Sequence, residues 1–465
     1  MTERELIGIA ALVVLFALLI LRVPVGIAMI AVGIGGNYAL SLAVPFLRFE
    51  PYLKQFKTLL WGTVANYDLS VVPLFILMGF LASHSKLSRD LFQGLNALVG
   101  RLRGGVAMAA IGACAGFGAV CGSSLATAST MGRVALPELD RLNYAPRLAT
   151  GTLAAGGTLG ILIPPSVALV IYAIIVEASI VEMFQAAVIP GLIAVALFIT
   201  VIAIQVRLRP ALAPLTAAMG REERRTALLR LIPVLLIFGS IVAGLGLGLF
   251  TPTPAAAVGA TAILAYGLLL RLKGPGEGLS LDSIRRSILD TAVTSGMIYL
   301  ILFGAEVLKG FFARAGLPAA MASWSAASGV DPWLLMILML LVLIVLGCFM
   351  DSLAMILVVL PFFWPALLDV NGGETVTAAQ AAYGLTADDL KIWFGILALV
   401  VVELGLITPP VGLNVFIIAA LAQNVRMAEV FAGVMPFFAA EIGRITLLIL
   451  VPSLSLFLPH FLAGP

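Results

Sequence analysis

A run of small hydroxyl residues set among glycines, Gly122-Ser123-Ser124-Leu125-Ala126-Thr127-Ala128-Ser129-Thr130, lies inside a long apolar stretch of this chain. Hydroxyls supply neutral oxygen ligands without a full charge to desolvate, and hard cations such as Na+ take oxygen ligands. Glycines permit close backbone approach and positive φ. A half-helix starting after such a turn aims its free amides and its dipole at the space in front of it, which suits a carboxylate. Small residues also let membrane helices pack closely; as a cluster opposite a helix break, these are read as functional. A second apolar stretch carries Gly347-Cys348-Phe349-Met350-Asp351-Ser352-Leu353. An unpaired carboxylate at membrane depth costs about 3 kcal/mol or more. Asp351 therefore meets a cation, helix-start donors or the substrate path, or it caps the helix that follows. The two roles are compatible.

Two further motifs face these turns. Gly160-Ile161-Leu162-Ile163-Pro164-Pro165-Ser166 recurs in altered form as Gly405-Leu406-Ile407-Thr408-Pro409-Pro410-Val411, each with a Gly four residues ahead of a Pro-Pro pair. Proline removes an N–H and its ring clashes with the preceding turn, so each pair interrupts a helix. Freed carbonyls and amides in mid-membrane are tolerated where protein or a wet cavity meets them. Two interruptions in corresponding positions of two halves point to a secondary transporter with its site between the repeats. Asn414, four residues past Pro410, reads equally as a neutral ligand or as a helix–helix hydrogen bond. The candidate substrate contacts are Ser124, Thr127, Ser166, Asp351 and Asn414.

The elements that hold these residues must be membrane helices. The chain is 62% hydrophobic and 11% charged, with a mean hydropathy of +1.14, more apolar surface than a soluble domain can hide. Apolar runs near twenty residues recur from end to end, enough to cross a hydrocarbon core of about 30 Å. The first run ends at Arg22 without a cleavage pattern, and the N-terminus lacks the basic region of a signal peptide, so it is read as a helix. Cys114, Cys121 and Cys348 form no C-x-x-C pair, and His84 and His460 build no histidine cluster. The sequence contains no G-x-x-x-x-G-K-[ST], so an ion gradient or a partner protein must supply the energy. The chain is not read as an enzyme, and no organic cofactor or nucleic-acid partner is expected.

Hydropathy divides the chain into two halves with the same order of elements. Residues 1–205 form a first repeat with a broken apolar pair at about 104–136; residues 231–465 form a second with its pair at about 333–366. Residues 206–230 form a cytoplasmic connector. Spans are expected near 6–21, 23–44, 62–83, 148–178 and 184–205, then 231–250, 254–271, 290–308, 392–422 and 431–459. Val23-Pro24 and Thr251-Pro252 open the second span of each half. Lys86, Arg89, Arg101 and Arg103 mark a cytoplasmic loop, as do Arg207 to Arg230 and Arg271, Lys273, Arg285 and Arg286; Asp369, Glu374, Asp388 and Asp389 mark an outside loop. These assignments agree only if both broken pairs enter and leave on one face, from opposite sides. The fold expected is an all-α polytopic membrane protein of two inverted repeats, each with a re-entrant hairpin and a Pro-Pro-interrupted helix.

With these motifs in hand, the chain resembles the large membrane (permease) subunit of tripartite ATP-independent periplasmic (TRAP) transporters. The resemblance rests on Gly122–Thr127, Gly156–Pro165, Gly347–Ser352 and Glu403–Asn414 and runs in order over nearly the whole chain. It implies a Na+-driven, elevator-type importer of organic acid anions in the bacterial inner membrane, with Na+ as coupling ion. It also implies a periplasmic solute-binding protein that delivers the substrate and a small four-helix membrane subunit, here expected on a separate chain. Carried over residue by residue, the Na+ positions are Ser123, Ser124, Gly157 and Pro164 at the first hairpin, and Gly347, Ser352, Thr408 and Pro410 at the second. The family often has Thr-Pro-Thr-Glu where this chain has Thr251-Pro252-Thr253-Pro254, and the loop over 46–68 is longer than the family's. The alternatives are a Na+/dicarboxylate elevator symporter working without a binding protein, and a channel or scaffold using the hairpins as pore loops.

Overall fold

The computed structural model describes residues 2–463 except Arg22, Pro45, 216–218, Leu247, Lys273, 275–277, 321–322, 324–329 and 423–424. Arg22 and Lys273, used above as boundary and charge markers, lie outside the described residues. All regular structure among the described residues is helical. In chain order the helices are α1 Glu3–Ile20, α2 Val25–Ala43, α3 Phe49–Val64, α4 Val71–His84, α5 Leu87–Val99, α6 Gly105–Cys121 and α7 Ser124–Arg141. Then come α8 Pro146–Gly157, α9 Leu159–Leu162, α10 Val167–Val176, α11 Ile180–Leu208, α12 Arg221–Gly246, α13 Pro252–Arg271 and α14 Leu281–Ala315. The last are α15 Pro332–Gly347, α16 Ser352–Asn371, α17 Ala387–Gly405, α18 Leu413–Leu421, α19 Met427–Leu450 and α20 Ser453–Ala463. Among the described residues, eight helical segments are long and apolar enough to cross a membrane, or nine if α8–α9 and α10, bent by 44° at their break, count as one span.

Prolines and glycines set the boundaries as the sequence suggests. Pro24 is the N-cap of α2, and Thr251-Pro252 opens α13 with proline in the first turn, where no N–H is needed. Several expectations shift. The span read at 62–83 starts later, because a 3-10 turn at Tyr67–Ser70 separates α3 from α4. The long loop over 46–68 holds the amphipathic helix α3, whose Phe49, Tyr52 and Phe56 share one face while Lys54 pairs with Glu50 at 2.9 Å on the other. The loop between Lys86 and Arg103 holds α5, which buries Leu87, Leu91 and Phe92. In the connector, α11 continues to Leu208 and the charged run from Arg221 is the first turns of α12, with Glu222 and Glu223 at its positive end. The last span, read at 431–459, divides at Pro452 into α19 and α20.

The chain forms two compact units. The first contains Met1–Ser70, Ala292–Leu341 and Leu353–Lys391; the second contains Val71–Thr291, Val342–Ser352 and Ile392–Pro465. Each draws on both sequence halves. Within the first unit, α2 and α14 meet backbone to backbone: a Cβ on Gly304 would lie 2.7 Å from the Gly26 carbonyl. Small residues allow this in membrane helices. Buried Asn37 is satisfied there, donating to Gly33 O at 2.8 Å and accepting from Arg314 at 2.8 Å. Tyr52 ties α3 to α14 through Val307 O at 3.3 Å, and Phe312 meets Phe362 edge-on at 4.3 Å. The segment after α16 is fastened by Asn371, which accepts from Tyr383 N at 3.1 Å, and by the Tyr383 hydroxyl, which donates to Pro332 O at 2.9 Å.

The second unit holds every candidate site residue. Its frame is locked by buried polar contacts. Arg444, on α19, donates to Glu441 at 3.1 Å and to Pro190 O of α11 at 3.1 Å. Trp393 of α17 donates to Leu448 O of α19 at 2.8 Å. Asp90 of α5 is buried, with Arg230 of α12 at 3.6 Å and the Tyr266 hydroxyl of α13 at 3.3 Å. Gly151 and Gly433 bring α8 and α19 into backbone contact.

Candidate functional site

The first hairpin turns where α6 can no longer continue. Gly122 adopts φ 59°, a left-handed conformation that costs L side chains energy, and its N–H closes α6 on Gly118 O at 2.7 Å. Ser123 then extends and caps α7, its hydroxyl accepting from Ala126 N at 3.4 Å. The second hairpin turns through 348–351 between α15 and α16. Asp351 is half-buried immediately before α16, and Ser352 begins that helix fully buried.

Each helix break faces a hairpin. After α8 ends at Gly157, one turn, α9, carries the chain to Pro164-Pro165, and Ser166 caps α10 by accepting from Leu169 N at 3.5 Å. A Cβ on Gly118 would lie 2.5 Å from Gly160 Cα. At the second break α17 ends at Gly405, and the Thr408 hydroxyl donates to Leu404 O at 2.6 Å. Asn414 N donates to Leu406 O at 3.1 Å, so α18 restarts close to where α17 stopped. A Cβ on Gly405 would lie 2.6 Å from Gly347 Cα. Gly160 and Gly405, each four residues ahead of its proline pair, thus meet a glycine on the first arm of a hairpin. Both Pro-Pro bonds are cis. The breaks differ in access: Pro164 and Pro165 are buried, Pro409 and Pro410 exposed.

Around the first break the candidate residues converge. Thr127 Oγ1 lies where a Cβ on Gly160 would be 2.6 Å away, beside the Ser123 carbonyl. A Cβ on Gly157 would lie 2.9 Å from Asn414 Nδ2 and 2.8 Å from Ala128 Cβ. Asn414 donates to Ala154 O at 3.4 Å, so its helix–helix role is present. Its Oδ1, and Thr127 Oγ1, are buried without a hydrogen-bond partner among the described residues. Buried oxygens are normally satisfied, and each one left open costs about 1–3 kcal/mol. Neutral oxygens left open beside helix breaks can ligate a hard cation; no group of three His, Cys, Asp or Glu suited to a metal occurs among the described residues. Ser166 spends its hydroxyl on the α10 cap, and Thr408 spends its proton on Leu404 O.

One residue absent from the candidates proves central to this geometry. Glu403, 1% exposed, accepts from the Ser352 hydroxyl at 2.8 Å through Oε1 and from the Ser124 hydroxyl through Oε2. It joins the starts of α7 and α16, the second arms of the two hairpins. The signal was available: Glu403 is the one acid in the apolar run Ile392–Ile407, two residues before Gly405.

The family model described as "Tripartite ATP-independent periplasmic transporter, DctM component" matches residues 12–454. The chain is similar to the C4-dicarboxylate TRAP transporter large permease protein DctM of Pseudomonas aeruginosa, 32% identical over 429 residues that cover 92% of this chain and 94% of that one. It is also similar to the sialic acid TRAP transporter large permease protein SiaM of Vibrio cholerae, 28% identical over 406 residues, 87% of this chain and 88% of that one. Among solved structures, the Alcanivorax borkumensis YdaH transporter matches with a TM-score of 0.58 over 90% of each chain at 17% identity, a likeness of fold alone. The motifs, the helical membrane architecture and these matches agree: this polytopic membrane protein belongs to the DctM component family of tripartite ATP-independent periplasmic transporters.

Proposed function

We propose that the protein is the large permease of a three-part importer that moves a carboxylate with Na+ across the bacterial inner membrane. The observation that carries the cation is the pair of buried oxygens, Thr127 Oγ1 and Asn414 Oδ1, that lack partners among the described residues beside the first break. Ser123, Ser124, Gly157 and Pro164 surround the first cation position; Gly347, Ser352, Thr408 and Pro410 surround the second. The substrate lies between the hairpin tips, against the amino ends of α7, α10 and α16, with Ser124, Thr127, Ser166, Asp351 and Asn414 nearest. Relatives named for C4-dicarboxylates and for sialic acid support a carboxylate substrate. The matched family is one component of a tripartite system; in this reading the other two are a periplasmic solute-binding protein and a small four-helix membrane subunit. In this reading the two halves are inverted repeats, both hairpins are re-entrant, and the part carrying them moves as an elevator. The 16 residues of α15 reach about 24 Å at 1.5 Å per residue, short of a full crossing, whereas the 20 residues of α16 are long enough to span.

The test is uptake into vesicles containing the chain and the small subunit, with the binding protein added outside. Carboxylate should accumulate only under an inward Na+ gradient and only with the binding protein present. Full uptake driven by a pH gradient in Na+-free buffer would sink the cation reading. Uptake undiminished without the binding protein would favour a self-sufficient symporter.

A further inference from the structure

We propose that Glu403 is a positioning residue that makes the two hairpin tips behave as one unit. This rests on the reading that the tips bound the site, and it concerns how one tip senses the other. Its carboxylate is buried in α17 and spends one oxygen on each hairpin: Oε1 receives Ser352 at 2.8 Å, Oε2 receives Ser124. Each serine is the first residue of a second arm, so the amino ends of α7 and α16 converge on one carboxyl group. The neighbouring turn of the same helix fixes the second hairpin again, through Gly405 against Gly347. Beside Glu403 the chain offers only Val400, Val401, Val402 and Leu404, none of which can accept a hydroxyl through its side chain. A shift of Ser124 on the first hairpin therefore pulls on a group that also holds Ser352 on the second.

Glu403→Gln keeps the shape but replaces one accepting oxygen by a donor. Glu403→Ala removes both acceptors. Ser124→Ala and Ser352→Ala each cut one arm of the bridge.

Amide hydrogen exchange on the purified full-length protein, in choline and in Na+ buffer, reads peptides covering 118–128 and 347–357. In choline, Ser124→Ala should speed exchange about tenfold at both tips, including the second, which Ser124 does not touch directly. Ser352→Ala should do the same in the other direction, and neither should add anything in the Glu403→Ala background. Glu403→Gln, the fold-preserving variant, should loosen both tips together. Serine substitutions that change only their own tip, or that remain additive in Glu403→Ala, overturn the proposal. The Na+ arm is separate: in the parent, both tips should gain protection with one Na+ midpoint, and Glu403→Gln should split that midpoint in two. A parent protein whose tips ignore Na+ contradicts the cation reading above, while the choline data still decide the role of Glu403.

Discussion

At the residue scale, the telling groups are oxygens with too little to do. Thr127 is fully buried in the second turn of α7, yet its hydroxyl finds no acceptor among the described residues, unlike Thr408, which bonds Leu404 O. If packing were its whole purpose, Thr127→Val would relieve an open polar group and hold or raise stability. If it ligates Na+, the same change should leave the melting temperature in Na+-free buffer equal or higher while weakening Na+ about tenfold, a loss near 1.4 kcal/mol. Na+-dependent thermal shift measures both at once. Asp351 makes the complementary case. As a helix cap alone, its loss costs about 0.5–2 kcal/mol, which a protein of this size survives. As a contact at the tip, its loss should abolish uptake. Asp351→Ala should therefore insert and purify normally but transport poorly, with altered Na+ dependence; transport like the parent would make the residue structural only. The hydroxyl cluster and Asp351 stand out in the sequence because polar groups at membrane depth are costly without a role. Glu403 bears the same signal, but its role is not legible in the sequence: its partners, Ser124 and Ser352, lie far from it along the chain, and only the fold brings all three together.

At the element scale, the sequence showed where helices must stop, and less well what fills the connections. The prolines at 164–165 and 409–410 and the glycine at 122 mark breaks and a turn that stand where expected, because each acts through local backbone chemistry. Helices α3 and α5 fall where the sequence suggests loops, since their charged faces mask an apolar stripe that is stabilising only against a tertiary partner. The i,i+3 pair Glu441–Arg444 lies in an apolar run, and its arginine ties α19 to α11. Arg444 is fully buried and bonds both Glu441 and the Pro190 carbonyl. Cutting one partner of a buried pair strands the other charge, at about 3–5 kcal/mol, whereas replacing both with apolar residues of similar volume is often neutral. Arg444→Met should accordingly lower thermal stability sharply, and Glu441→Leu with Arg444→Met should recover most of it. A double variant no better than Arg444→Met would show that the bond to Pro190 O, not the ion pair, holds the two helices.

At the scale of the whole molecule, the question is whether the halves run through the membrane in opposite senses. The compact units do not correspond to the sequence halves, since each is assembled from both. That is no argument against a repeat, which is a relation of topology rather than of packing. What favours one is local: Gly160 with Pro164-Pro165 and Gly405 with Pro409-Pro410 both set a glycine against a hairpin arm four residues before a break. The proposed sense rests on the charge pattern. Arg89, Arg101 and Arg103 precede the first hairpin, whereas Asp369, Glu374, Asp388 and Asp389 follow the second. Lys and Arg favour the cytoplasmic side, so in the proposed arrangement the end of the first hairpin lies inside and the segment after the second, which lacks such a basic cluster, lies outside. Asp140 and Gln380 are exposed and report on those two places. Cys114, Cys121 and Cys348 are free and must first be replaced. In that background, Asp140→Cys should react with an impermeant thiol reagent only after the membrane is opened, and Gln380→Cys should react in intact cells. Reaction of both from the same side would mean that one hairpin crosses the membrane, which for α16 its length permits, and the inverted arrangement would fail.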